Sequence, residues 1–119
     1  MAENTGTQSA AFKALEVLTK RFPSVEVLKP GVIQFQLTGD EGGNFALEVD
    51  SSRRVKQIEG NSQQKPRILL TGDGRQVRMV LEGKRDAAKA FLAGGIQVRG
   101  DIHYLERLLQ EVKLLKSHA

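Results

Sequence analysis

Residues 83–101 restrict the fold more than any other stretch, because almost every position in GKRDAAKAFLAGGIQVRGD has a local structural preference. Asp86 precedes an alanine-rich run, and an aspartate there can cap the free N–H groups of a helix. Gly94 and Gly95 then supply the left-handed conformation that ends a helix at low cost. The alternating residues 95–99 indicate a strand. A short helix, a tight turn and a strand in immediate succession predict a mixed α and β fold.

The first seventy residues divide into one helix and several strands. Apolar side chains recur at helical spacing from about Ser9 to Arg21, and Pro23 ends this helix. Alternation and short apolar runs predict four strands, namely GVIQFQL, NFALEV, VKQIE and Arg67–Leu70. The glutamines that alternate with apolar strand residues are expected on an exposed face of the sheet: Gln34, Gln36 and Gln97.

Two further aspartates begin the remaining helices. Asp73 precedes a helix over residues 74–83, and Gln76 three positions later resembles the capping-box arrangement. Asp101 precedes the last helix, whose apolar face is broader than one helical stripe. Three explanations of this face stay open: it closes the sheet, it binds a partner or a second copy of the chain, or it covers an apolar ligand.

Composition limits the kind of protein. A chain of 119 residues buries one core, so we expect a single domain over residues 9–116, a flexible N-terminus over 1–8 and a tail over 117–119. The absence of cysteine suits a reducing cytoplasm, and no signal-peptide pattern opens the sequence. Of eighteen Lys and Arg residues, fourteen follow residue 50, but no aromatic side chains alternate with them. An anionic membrane is therefore a better partner than nucleic acid.

A family resemblance rests on the stretch described first. This stretch resembles the sterol carrier protein type 2 family in its order of glycines, an Ala-Phe pair, alternating apolar residues and a closing Gly-Asp. The residues that carry the resemblance are Gly83, Ala90, Phe91, Gly94, Ile96, Val98, Gly100 and Asp101. The resemblance implies an α+β domain with a five-stranded, mostly antiparallel sheet, covered mainly on one face by helices. It also implies a hydrophobic tunnel between sheet and helices. The Trp often found on an early strand in relatives is missing, with Phe35 or Phe45 as stand-ins.

The predicted function is binding and transfer or presentation of an apolar lipid: a fatty acid or acyl-CoA, a phospholipid or a sterol-like molecule. The predicted ligand-binding residues are Phe35, Phe45, Met79, Val80, Phe91, Leu92, Ile96, Tyr104, Leu105, Leu108, Leu109 and Val112. Docking to an anionic membrane is assigned to Arg75, Arg78, Lys84 and Arg85. The alternative is a protein-interaction module that uses the broad face of the last helix without a ligand.

No catalytic group and no cofactor are expected. There is no cysteine and no Gly-x-Ser-x-Gly nucleophile motif, which argues against covalent catalysis. His103 and Glu106 lie one helical turn apart, a spacing that can bind a metal, but no second pair completes a site. A solvated helix start is the better interpretation of this pair.

Overall fold

The computed structural model describes residues 9–26 and 29–114. The predicted flexible N-terminus and C-terminal tail lie outside these residues. The elements, in chain order, are α1 (Ala10–Arg21), β1 (Gly31–Thr38), β2 (Gly43–Val49), β3 (Val55–Glu59), β4 (Ile68–Asp73), α2 (Gly74–Leu81), α3 (Ala87–Leu92), β5 (Ile96–Gly100) and α4 (Ile102–Glu111). The predicted α+β fold is confirmed, and each predicted helix and strand is present.

The five strands form one sheet in the order β3-β2-β1-β4-β5. Three of the four neighbouring pairs are antiparallel, which confirms the mostly antiparallel prediction. The exception is the central pair, in which β1 and β4 run parallel with Ile33 beside Ile68. Because β3 lies at one edge of the sheet and β4 beyond β1, the segment between them must cross the sheet.

The two faces of the sheet have different coverings. Ile33, Phe35 and Leu37 of β1 point to the face on which the helices pack, and all three are buried. Gln34 points to the opposite face, where the crossing segment lies. Its amide donates to the carbonyls of Phe45 and Gly60 at 3.0 and 3.1 Å, and its carbonyl accepts from the Ser62 N–H at 3.0 Å. The expectation of an exposed Gln34 is therefore wrong, because the crossing chain covers it.

The predicted helix caps are confirmed in part. The side chains of Asp73, Asp86 and Asp101 each accept a backbone N–H in the first turn of the helix that follows. The reciprocal half of the capping box is absent, because the Asp73 N–H donates to the Gly95 carbonyl and the Gln76 Oε1 has no hydrogen-bond partner. These bonds tie the start of α2 to the turn before β5.

Gly100 allows the sheet and the last helix to meet closely. Its φ of +112° is in the region that favours glycine, and a Cβ at this position would collide with the Arg67 carbonyl oxygen. The chain can therefore leave β5 and enter α4 within one residue, which places α4 over the sheet.

Candidate functional site: an apolar cavity between sheet and helices

An apolar cavity of about 220 Å³ lies between the helix-facing side of the sheet and the four helices. The sheet contributes Ile33, Phe35, Leu47 and Leu70 to its wall, together with residues of β3 and β5. All four helices contribute as well, and the polar side chains in the wall are those of Thr19 and Glu106. A wall of this composition can bind hydrocarbon but has almost no means of binding a polar molecule.

Eight of the twelve residues predicted to bind ligand line this cavity: Phe35, Val80, Phe91, Ile96, Leu105, Leu108, Leu109 and Val112. Phe35 comes from β1, and the other seven come from the second half of the chain, residues 80–112. The tertiary structure brings them together around one space. Contact with a ligand stays a prediction for each of them.

The other four predicted residues lie outside the cavity wall. Phe45 is fully buried in the core, where its ring stacks on Phe35 at 5.0 Å between centroids and meets the edge of Phe12 at 5.3 Å. Met79 is half-buried on α2, which turns Val77, Val80 and Leu81 toward the cavity instead. The helical rotation between neighbouring residues separates Met79 from this wall.

Leu92 and Tyr104 also lie away from the cavity wall, each for its own reason. Leu92 is 82% exposed at the end of α3, one position after the cavity-lining Phe91. Tyr104 is buried, but its hydroxyl donates to the Lys29 carbonyl at 2.6 Å and the Arg67 guanidinium lies 5.3 Å from the centre of its ring. Tyr104 therefore anchors α4 to the chain before β1 rather than facing the cavity.

The sequence prediction missed the contribution of the first helix to the wall. Leu15, Leu18 and Phe22, from α1 and the residue after it, line the cavity. Their helical spacing was visible in the sequence as an apolar stripe. The stripe alone does not distinguish residues that border a cavity from residues that fill a core.

The exposed part of the cavity wall belongs to α3 and α4. Four of its lining residues are exposed to solvent, namely Ala88 and Phe91 of α3 and Ile102 and Glu106 of α4. We refer to these four residues as the mouth. Glu106 is the charged group among them, and its carboxylate lies 3.5 Å from the Nδ1 of His103. The mouth therefore consists of apolar side chains and one acid.

The pair formed by His103 and Glu106 does not extend into a metal site. The His103 side chain is 95% exposed. Within residues 9–26 and 29–114, no group of three or more His, Cys, Asp and Glu side chains is arranged to hold a metal ion.

The basic residues assigned to membrane docking differ in their surroundings. Arg78 is only 20% exposed and pairs with both Glu41 and Glu82, the latter at 2.8 Å. The hydrogen bond to Glu41 raises the pKa of Arg78, so its charge is permanent but already compensated. Its role in docking stays a prediction, although Glu41 and Glu82 already balance its charge. Arg75 is exposed, Lys84 is largely exposed at 3.2 Å from Glu82, and Arg85 is half-buried.

The broad apolar face of α4 is largely covered by the domain itself. Tyr104, Leu105, Leu108 and Val112 are buried, and the last three border the cavity. Closing the sheet and bordering the cavity together account for most of this face. A homodimer through α4 stays a prediction. The described part of the helix has no exposed apolar face as wide as the face predicted from the sequence.

Comparison with known proteins agrees with this architecture. A profile of the SCP-2 sterol transfer family matches residues 12–112. The chain belongs to this family. As a family member it is also similar in structure to the sterol carrier protein domain 2 of Helicoverpa armigera, with a TM-score of 0.65, 19% identity, and coverage of 99% of this chain and 100% of the other. The palmitated SCP2L2 of Aedes aegypti gives a TM-score of 0.62 at 18% identity, covering 88% of this chain and 96% of that one.

A longer protein contains a similar region. The hydroxysteroid dehydrogenase-like protein 2 of Xenopus tropicalis is 25% identical over 116 residues, which cover 93% of this chain and 27% of that protein. The chain thus spans about a quarter of the length of this curated relative. In the part of the chain that the structure describes, no helix is both long and apolar enough to cross a bilayer.

Proposed function

We propose that this SCP-2 family member binds one apolar lipid in the cavity and carries or presents it without making or breaking a covalent bond. The observation that carries the proposal is a cavity of about 220 Å³ whose wall is apolar apart from Thr19 and Glu106. The interaction of such a wall with a hydrocarbon chain is favourable by about 0.8 kcal/mol for each buried methylene.

Energetics support a filled rather than an empty state. Leaving 220 Å³ empty destabilises the domain by roughly 5 kcal/mol at about 24 cal/mol per Å³. Domains of this size are stable by only about 6–18 kcal/mol, at 0.05–0.15 kcal/mol per residue. A bound lipid that supplies the contacts missing from the empty cavity therefore raises the free energy of unfolding by a large fraction of its value.

The size of the cavity and the chemistry of its mouth narrow the proposed ligand. Its 220 Å³ exceeds the roughly 150 Å³ of a cavity that holds benzene but falls below the roughly 300–1,000 Å³ usual for larger ligands. A single acyl chain that extends out through the mouth fits this space with the least widening. A fatty acyl chain therefore fits the cavity better than a two-chain phospholipid or a rigid sterol.

Glu106 sets the preferred end group of that ligand. Its carboxylate lies at the mouth, where the polar end of a bound acyl chain emerges. Like charges repel, so a carboxylate end is disfavoured relative to an alcohol or an ester. We propose the cytoplasm as the compartment and transient contact with an anionic membrane during exchange. The similarity to part of a longer dehydrogenase-like protein supports presentation of the lipid to an enzyme.

Native mass spectrometry of freshly purified protein tests the proposal, followed by organic extraction and identification of what is released. We expect a stoichiometric adduct with the mass of an acyl lipid, and uptake of palmitate or hexadecanol by protein stripped of lipid. A clean apoprotein mass that neither ligand changes would contradict lipid binding and favour the protein-interaction alternative.

A further inference from the structure

Most of the large exposed apolar side chains in the described residues belong to two helices, α3 and α4. Among the described residues four large apolar side chains are exposed, and three of them, Phe91, Leu92 and Ile102, belong to α3 and to the start of α4. Phe91 and Ile102 are also part of the mouth. The fourth, Val17, lies on α1 and does not line the cavity.

The end of α3 forms a small apolar projection. Phe91 is 47% exposed and Leu92 82% exposed, and the two residues that follow are small and exposed as well. Ala87 and Ala90 on the other side of α3 are buried and hold the helix against the domain. Leu92 therefore contributes nothing to the core that would explain an exposed leucine beside an apolar cavity.

Basic residues flank this projection. Lys89 on α3 is exposed, and the Lys84 side chain, just before α3, is 65% exposed with its Nζ 3.2 Å from a Glu82 carboxylate oxygen. The acid between them, Asp86, accepts the Ala88 N–H as the helix cap at 2.8 Å. An apolar tip with lysines behind it matches the interface of an anionic bilayer, where apolar side chains enter the acyl boundary and lysines stay at the headgroups.

The area of the patch favours a membrane over a protein partner. The exposed parts of Phe91 and Leu92 amount to on the order of 200 Å², whereas each side of a standard protein interface buries about 800 Å². Insertion into a bilayer needs no such area, because the surrounding lipid adapts to the inserted side chains. Because Phe91 is itself part of the mouth, its insertion would bring the mouth to the surface of the bilayer.

We propose that the end of α3 inserts Phe91 and Leu92 into the surface of an anionic membrane, so that the mouth faces the bilayer during lipid exchange. This inference rests on the proposed function and gives the membrane contact a location. It shifts the centre of docking from Arg75 and Arg78 of α2 to the end of α3, and it keeps Lys84. A ligand then passes between bilayer and cavity with little exposure of its hydrocarbon to water.

Single-tryptophan variants test the proposal, since the natural chain has no Trp. Leu92→Trp places the reporter on the projection, and Val17→Trp is the matched control on an exposed site of α1. Vesicles of phosphatidylcholine with phosphatidylglycerol are expected to shift the emission of Leu92→Trp to the blue and to expose it to quenching by brominated lipid. The emission of Val17→Trp is expected to stay unchanged.

Substitutions that remove the apolar tip or its charge complete the test. Leu92→Ser is expected to lower vesicle partitioning about tenfold. Lys89→Gln is expected to lower it about fivefold for the anionic vesicles only. Val17→Ser is expected to leave partitioning unchanged. An equal loss for Leu92→Ser and Val17→Ser, or a blue shift that grows with protein concentration before vesicles are added, would overturn membrane insertion by α3.

Uptake of a fluorescent fatty acid without vesicles separates this inference from the proposed function. Leu92 does not line the cavity, so Leu92→Ser is expected to bind the probe like the unchanged protein. Normal uptake without an emission shift for Leu92→Trp overturns docking and leaves the carrier proposal standing. Absence of uptake in the unchanged protein overturns the carrier proposal itself.

Discussion

Single residues in this domain have roles that their chemical type does not reveal. Gln34 and Gln36 lie two positions apart on β1 and point to the same face of the sheet. Gln34 is 4% exposed and holds the crossing segment through several hydrogen bonds, whereas Gln36 is exposed. The path of the chain between β3 and β4 makes the difference between them.

Replacing Gln34 is therefore expected to destabilise the fold. Gln34→Leu leaves the Gly60 carbonyl and the Ser62 N–H without their partner, and each such loss costs about 1–3 kcal/mol. We expect urea denaturation to show a loss of about 2–4 kcal/mol. Gln36→Leu is the control, and its effect should stay within about 0.5 kcal/mol. Equal effects of the two substitutions would contradict a pinning role for Gln34.

Glu106 is expected to determine which end group the ligand carries. Glu106→Gln removes the negative charge at the mouth with little change in shape, and with it the repulsion of a carboxylate end group. We therefore expect palmitate to bind about two- to fivefold more tightly, the size typical of interactions between solvent-exposed charges. Hexadecanol has no charge and should bind equally to both proteins. Isothermal titration with the two ligands measures this. If both affinities changed by the same factor, the effect of Glu106 would be on packing and not on charge.

At the scale of elements, the helices and the strands are held with different strength. β1 is paired on both sides and its apolar side chains are buried, whereas α3 has six residues and an exposed end. α4 is attached near its start by two hydrogen bonds: the Tyr104 hydroxyl donates to the Lys29 carbonyl, and the Asp101 N–H donates to the Arg67 carbonyl. These differences indicate that α3 and α4 separate from the sheet more readily than the strands separate from each other.

Hydrogen exchange is expected to show this order. Amides of α3 and α4 should exchange through an opening of lower free energy than those of β1 and β4. An acyl chain bound in the cavity as proposed would contact both helices and the sheet, so it should slow exchange in α3 and α4 more than at the edge strand β3. A ligand effect spread evenly over the whole chain would contradict entry between these helices.

Tyr104 makes the attachment of α4 sensitive to alkaline pH. Burial raises the pKa of its phenol above the ordinary value of 10.0, with a smaller opposing effect of Arg67. Because the folded state holds this proton more tightly than the unfolded chain, the contribution to stability is complete below pH 10.0 and is lost as the pH rises through the raised pKa.

The chain has one tyrosine and no tryptophan, so tyrosinate absorbance reports Tyr104 alone. We expect the phenol to titrate above its value in urea-unfolded protein, and the stability of Tyr104→Phe to fall less steeply above pH 10.0. A titration that coincides in folded and unfolded protein would show that Tyr104 is not held as described.

At the scale of the whole molecule, stability and ligand binding are linked through the cavity. Val80 lies in its wall and is buried, so Val80→Phe adds bulk to space that is otherwise empty. Filling a cavity of this kind commonly stabilises a domain by about 0.5–2 kcal/mol while it removes the room for a ligand.

We therefore expect Val80→Phe to match or exceed the thermal stability of the lipid-free protein and to lose most of its fatty-acid uptake. Val17→Phe, at an exposed site on α1, is the control and should change neither property. Uptake at the normal level in a folded Val80→Phe protein would show that lipid binds elsewhere.

The sequence by itself determined the elements and much of the family assignment. Gly94 adopts the left-handed conformation predicted for the turn, although Gly95 does not, and Asp73, Asp86 and Asp101 cap the helices they precede. These are local properties, because a cap or a turn involves residues only a few positions apart.

Only the tertiary structure decided which apolar residues border the cavity and which fill the core. Phe35 and Phe45 have similar neighbours in sequence, yet Phe35 lines the cavity while Phe45 packs between two other rings. Leu92 follows a cavity residue and is exposed, and Gln34 is buried under a segment nearly thirty residues away in sequence. Hydrophobic patterning specifies which side of an element is buried. Where several elements leave space between them depends on side chains from all of them at once, which periodicity within one segment does not encode.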